Sequence, residues 1–266
     1  MPMLSSLPTE AKVESGVESK QLGEMEQALP ESTPAERTRF LDYCEGDTSA
    51  AIAKLKNYLE WRKQHCDDST ELDNWTHATK AAIRISSQGS DDRDDNANGI
   101  DDTTELPCPL FTDEHSNKKY LHFLPARIDT AIVDKSVWAL AIAIYIDRTF
   151  DRTSTEKADL VIDVRPGRGW ANISAITFLP FMQSLSNLLC ELHPLRLDTG
   201  TTFPVPYLAS YLFSALKPFM SEETANRMKL AHGPSRVDDK APANLSDHLD
   251  EELIKVFEER RLSYFS

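Results

Sequence analysis

The chain of 266 residues is short of positive charge, of paired cysteines and of long apolar runs, and each shortage excludes something. Lys and Arg number 29 against 43 Asp and Glu, a formal net charge of −14. That balance argues against nucleic acid or an anionic membrane held by charge alone, while leaving room for a local basic patch. The four cysteines, Cys44, Cys66, Cys108 and Cys190, form no C-x-x-C pair. This suits reduced thiols rather than a disulfide frame or a zinc site. The longest apolar run, Val137 to Ile146, falls short of the ~20 residues a bilayer requires. The opening text, MPMLSSLPTEAKVESGVESK, has no apolar heart of a secretory leader, so a cytoplasmic protein is expected. No P-loop, no G-x-S-x-G elbow and no HxxxH pair occurs among the motifs that announce an enzyme.

What is present divides the chain into five stretches. Residues 1–30 are rich in Ser, Glu and Pro and read as a disordered arm. Residues 31–85 read as a helical module that opens at Thr33-Pro34. In it Asp47 or Thr48 caps a helix whose Ile52, Leu55, Leu59 and Arg62 share a face, and a short helix follows over 70–85. Residues 86–106 have no apolar period and read as an acidic linker. Residues 107–235 alternate between the two periods. KYLHFL (119–124), ADLVIDV (158–164) and LRLDTGTTF (195–203) read as strands. Ile128 to Arg148 reads as a helix capped by Asp129 or Thr130, although its Ala/Ile alternation also fits a strand. TFLPFMQSLSNLLCEL places Phe178, Met182, Leu185, Leu189 and Leu192 on one helical face, with Pro180 tolerated if it lies in the first turn. Strands and helices in this order predict an α/β fold with a mainly parallel sheet. Residues 236–266 end in a helical tail with Leu249, Leu253, Val256 and Phe257 on one side, which packs back or meets a partner.

Two motifs invite chemistry. DDNANGIDDTTE matches the spacing of a calcium loop, with Asp94, Asn96, Asn98 and Glu105 as ligands. Its flanks are poor helices, Pro107 blocks the exit, and a flexible acidic loop is the plainer reading. Gly167 and Gly169 leave a strand where a dinucleotide fingerprint would sit, but Asn172 holds the place of the third glycine. A nucleotide-binding enzyme that uses the Gly167–Gly169 turn is therefore one alternative reading.

Taken together, RFL (39–41), AAIAKLKNYLEWRKQ, DLVIDVRPG, NLLCELHPLRL and FPVPYLASYLFSALKPFM resemble, in order and spacing, the CRAL-TRIO family of retinaldehyde-, tocopherol- and phosphatidylinositol-transfer proteins. The resemblance spans about residues 30–70 and 107–230. It implies a CRAL-TRIO-like sheet covered by helices, a cavity for one phospholipid or other hydrophobic molecule, and transfer of that molecule between membranes. No covalent chemistry, cofactor, metal or nucleic acid is implied, and contact with the membrane is transient and peripheral.

The resemblance also supplies site residues. Leu160, Ile162 and Val164 would face the ligand from the strand, with Asp159, Val161 and Asp163 opposite. Phe178, Met182 and Phe203 would line the cavity. Helix 206–217, with Tyr207, Leu208, Leu212, Phe213 and Leu216, would be a gate. Arg227 would meet a headgroup. The inositol-binding members carry Lys, Glu and Lys where this chain has Glu45, Leu195 and Arg227, so an inositol lipid is disfavoured. A scaffold that keeps the fold without a ligand is the second alternative.

Overall fold

The computed structural model describes residues 10–66, 71–88, 104–206 and 227–265. It divides into two compact units, Met1–Gln64 with Phe150–Thr155, and His65–Thr149 with Glu156–Ser266.

The first unit holds α1 (Glu10–Ala28), α2 (Pro34–Tyr43) and α3 (Thr48–His65). Residues 10–28 are therefore helix rather than arm. Their Glu, Lys, Gln and Ala favour helix, and Met25 with the following Leu29 is buried. α2 begins as the sequence predicts. The Thr33 hydroxyl accepts from Glu36 N, the Glu36 carboxylate accepts from Thr33 N, and Pro34 occupies the first turn. Glu36 is fully buried, and its carboxylate also accepts from Arg152 Nε at 2.7 Å. Asp47, not Thr48, caps α3 by accepting from Ala50 N.

The second unit begins with α4 (Asn74–Gln88), which packs on α5 (Lys135–Thr149). The division into compact units thus falls at residue 64, whereas the helical module read from the sequence ran to 85. Leu106, at the end of the expected linker, is buried, and its carbonyl accepts from Trp75 Nε1. The sheet runs in the order β1 (Leu110–His115), β2 (Lys118–Phe123), β3 (Ala158–Asp163), β4 (Leu197–Val205), β5 (Met228–His232). β1 is antiparallel to β2 and the other neighbours are parallel, which is the mixed, mainly parallel α/β sheet expected. β1 and β5 were not anticipated. α5 starts seven residues later than predicted because Asp134, through its contact with Ser136 N, provides the turn. α6 (Ala175–Leu192) is capped by Ser174, so Pro180 lies in its second turn, not its first. α7 (Glu251–Ser263) closes the described chain.

Apolar packing explains most of α5. Val137, Trp138, Ala141, Ile142, Ile144 and Ile146 are all buried, so apolar residues lie on every side of its middle turns. β1 and β2 join through Ser116 and Asn117, both left-handed, at φ 51° and 60°. That is the geometry of a type I′ hairpin, which prefers Asn-Gly. The double substitution Ser116→Asn with Asn117→Gly should stabilise the second unit by about 0.5–1 kcal/mol. Calorimetry should therefore show a rise in Tm of a few degrees.

Candidate functional site

The pleat of β3 sends alternate residues to opposite faces, and register carries those faces across the sheet. One face holds Tyr120, His122, Asp159, Val161, Asp163, Thr201, Phe203 and Ala231. α7 closes it. Leu245, Leu249, Leu253 and Phe257 form one buried cluster with Val161, Phe203 and Ala231. The tail therefore packs back on the sheet. Val256, expected on the buried side, is 41% exposed. The buried arc of α7 runs through Leu253, Phe257 and Arg261, and at ~100° per residue Val256 falls outside it.

Charges bind this face as well. Arg165 has no exposed side-chain surface. It donates to both carboxylate oxygens of Asp163, at 2.9 Å from Nε and 2.6 Å from Nη2. The same Nη2 lies 2.6 Å from Glu258 of α7, and Nη1 donates to the Asp239 carbonyl. Arg261 donates to the carbonyls of Pro166 and Val237. Replacing Asp163 by Asn leaves two buried guanidinium groups short of a countercharge. That should cost about 3–5 kcal/mol in urea unfolding.

His122 lies under α7, stacked on Phe257 with ring centres 4.1 Å apart. Its Nδ1 faces Arg260, which also pairs with Asp113. Burial, then the charges of Arg260 and Arg165, hold its pKa well below the usual histidine value. The unfolded chain takes up a proton at His122 near pH 6.5 and the folded chain does not. The stability present above that pH is therefore lost as pH falls below it. Between pH 7 and 5 this should remove about 2 kcal/mol from the wild type, a loss absent from His122→Phe when both are unfolded in urea.

The other face carries Leu121, Phe123, Ala158, Leu160, Ile162, Gly200, Thr202, Met228 and Leu230. Two rows cross β3, β4 and β5: Leu160–Gly200–Met228 and Ile162–Thr202–Leu230. Ile162 is buried, while Leu160, Thr202, Met228 and Leu230 are half-buried. A Cβ at Gly200 would fall 2.1 Å from the Met228 sulfur, so this flexible side chain lies over the space the glycine leaves. From α6, Phe178 meets Phe123 at 6.3 Å and Phe181 at 6.0 Å, and Met182 is half-buried.

The structure thus places Leu160 and Ile162 together on the face opposite Asp159, Val161 and Asp163, and stacks Phe178 on Phe123 of that face. Phe203 is a correction: it lies on the opposite face, fully buried beneath Arg165, whose guanidinium carbon is 5.2 Å from its ring. Val164 lies just past β3, half-buried, its N–H bonded to the Phe203 carbonyl. Arg227 pairs with Asp198 at 3.4 Å. Glu45 is exposed in the left-handed turn after α2, and Leu195 sits in the left-handed turn before β4. The predicted gate residues Tyr207, Leu208, Leu212, Phe213 and Leu216 lie outside the described residues. So do Asp94, Asn96 and Asn98 of the calcium loop, whose Glu105 is exposed. Sequence reasoning missed Met228 and Leu230, although the alternation in MKLAH signals a strand.

The Gly167 turn is filled by its own chain. Gly167 N donates to the Asn172 side chain, whose amide donates back to the Gly167 carbonyl. The Trp170 ring lies where a Gly167 Cβ would go, and α6 begins only at Ala175. These contacts occupy the positions a pyrophosphate would need. Among the described residues, His115, Asp250 and Glu252 bring possible metal-ligating atoms within 4.8 Å of one another. Asp250 is engaged there as the cap of α7, accepting from Glu252 N. An open groove of about 470 Å³ runs along α7 on the closed face, lined by Val237, Ala241, Ile254, Leu262 and Phe265 among others. No described helix is long and apolar enough to cross a membrane.

No protein-family model matches the chain, and no curated protein sequence matches it. Among solved structures, the crystal structure of Sfh5 is similar with a TM-score of 0.59 and 12% identity, over 91% of this chain and 85% of that one. The likeness is one of fold, and the fold is CRAL-TRIO-like.

Proposed function

We propose that the chain binds one phospholipid or other hydrophobic molecule against the Leu160–Ile162 face and carries it between membranes, with segment 206–217 as the gate. The observation that carries this reading is the inequality of the two sheet faces. α7 fills one with Leu253, Phe257 and a buried ion network. The other leaves Leu160 of the central strand β3, Met228 and Leu230 of β5, and Phe178 and Met182 of α6 only half-buried. Parallel sheets are normally covered on both faces, so apolar rows of this kind call for a covering group. The CRAL-TRIO-like fold supports the same reading.

The energetics suit a carrier. Burying ~20 methylene groups at ~0.8 kcal/mol each holds a lipid firmly out of water, so release requires a bilayer as acceptor. The exchange is a partition between two apolar environments, and the protein needs no catalytic group. Transient contact with a membrane surface from the cytoplasm is part of the proposal.

The test is exchange of a fluorescent phosphatidylcholine between donor and acceptor vesicles by the full chain. Leu160→Glu places a charge against the bound chain and should slow exchange about tenfold or more. Leu160→Trp, which fills the same space without charge, should also slow it. Equal rates for both variants and the wild type, together with no lipid in an organic extract of the purified protein, would refute the proposal.

A further inference from the structure

Arg127 stands apart from the other arginines near the sheet. It ends the single 3-10 turn Pro125–Arg127 that follows β2. Its guanidinium carbon lies 3.7 Å from the Tyr264 ring centre and 5.5 Å from that of Trp170. Its Nε donates to the Cys108 carbonyl at 2.7 Å. Neither terminal nitrogen has an acceptor, and no carboxylate pairs with it among the described residues. Arg165, Arg260 and Arg227 each have an acidic partner. Beside Arg127, the Trp170 indole N–H is buried and also has no acceptor among the described residues.

Burial draws the pKa of Arg127 down, and the groups that oppose this are the Tyr264 phenol and the Cys108 thiol. Burial pushes that thiol up to about 12, so it is neutral at pH 7 and offers no countercharge. The result is a cation held by aromatic rings, with its donor fork open, in a chain whose net charge is −14.

We propose that Arg127 and Trp170 form a phosphate-binding site at the edge of the sheet where β2 and β3 end. The two terminal nitrogens of a guanidinium present parallel N–H groups that match two oxygens of a phosphate or a carboxylate. The unfilled indole N–H adds a third donor, which suits a tetrahedral phosphate better than a flat carboxylate. Arg127 takes the role that the resemblance implied for Arg227, which Asp198 already occupies. The assignment stands without the lipid reading, because inorganic phosphate and a phosphatidic acid headgroup present the same oxygens.

The experiment uses the full chain and two probes. Inorganic phosphate is titrated by calorimetry at constant ionic strength, and fluorescent phosphatidic acid is taken up from vesicles. A fluorescent fatty alcohol, which lacks phosphate, is the control for apolar binding. Arg127→Gln should weaken one or both phosphate probes about tenfold or more and leave the alcohol unchanged, while Arg227→Gln binds like the wild type. Loss confined to phosphatidic acid names a lipid headgroup, and loss in both names phosphate itself. Trp170→Phe keeps an aromatic ring and removes the N–H, so a few-fold weakening of the same probe should follow. Where Arg127→Gln does not fold, Arg127→Lys, which keeps the charge and loses the fork, is read by the same criteria. Equal binding by wild type and Arg127 variants, or no binding of either phosphate probe by the wild type, overturns the site. The arginine is then only a clasp for the C-terminal aromatic residues. Normal uptake of the alcohol in that case leaves the lipid reading standing.

Discussion

A guanidinium with no exposed surface, that of Arg165, ties the end of β3 to the C-terminal helix. Taking such a charge out of water costs several kcal/mol unless every donor is met. Here Asp163, Glu258 and the Asp239 carbonyl meet them. The constraint is geometric as much as energetic. Sliding α7 by one turn would move Glu258 about 5.4 Å and leave the fork unfilled. Apolar contacts of Leu253 and Phe257 hold the helix against the sheet, but they would tolerate small shifts. The ion network fixes one register, and with it the stack of Phe257 on His122.

Closing one face decides what the other can do. The chain after β5 returns to the Val161–Phe203 side and seals it with α7. The Leu160–Ile162 side depends on α5, α6 and whatever lies over β4 and β5. Its floor is uneven in a useful way. Gly200 leaves a gap in β4, and the Met228 side chain lies across it. A thioether there has several rotamers and little polarity, so under the proposed function the floor would adapt to guests of different shape. Water has little to bind on such a surface, and an acyl or isoprenoid chain has much.

Much of this was legible in the sequence because local physics wrote it. Asp159, Val161 and Asp163 against Leu160 and Ile162 is a strand pleat, and the folded strand keeps that division. Thr33, Pro34 and Glu36 spell a capping box. Phe203 was misplaced for a reason no single strand reveals. Between Ala158 and Leu160 of β3, the β4 partners advance from Leu197 to Gly200. That extra residue reverses the parity between the strands, so counting from one does not give the face of the other. α1 was missed because polar composition suggested an arm, although Leu22, Met25 and Leu29 hint at a helical face. The tie between Arg165 and Glu258 spans too much sequence to be read from spacing. The same holds for Arg127, which gains its meaning only when Trp170 and Tyr264 arrive beside it.

The pairing of Glu36 with Arg152 bears on how the molecule comes into being. These partners are 116 positions apart, yet both belong to the first compact unit, which takes Phe150–Thr155 from the middle of the chain. A ribosome delivers Glu36 early and Arg152 only after β1, β2 and α5 have been made. Until then a carboxylate destined for burial has no counterion, and the N-terminal helices cannot finish on their own. Synthesis order therefore runs against completion order, and an isolated fragment ending at residue 64 is an unfinished piece rather than an independent module.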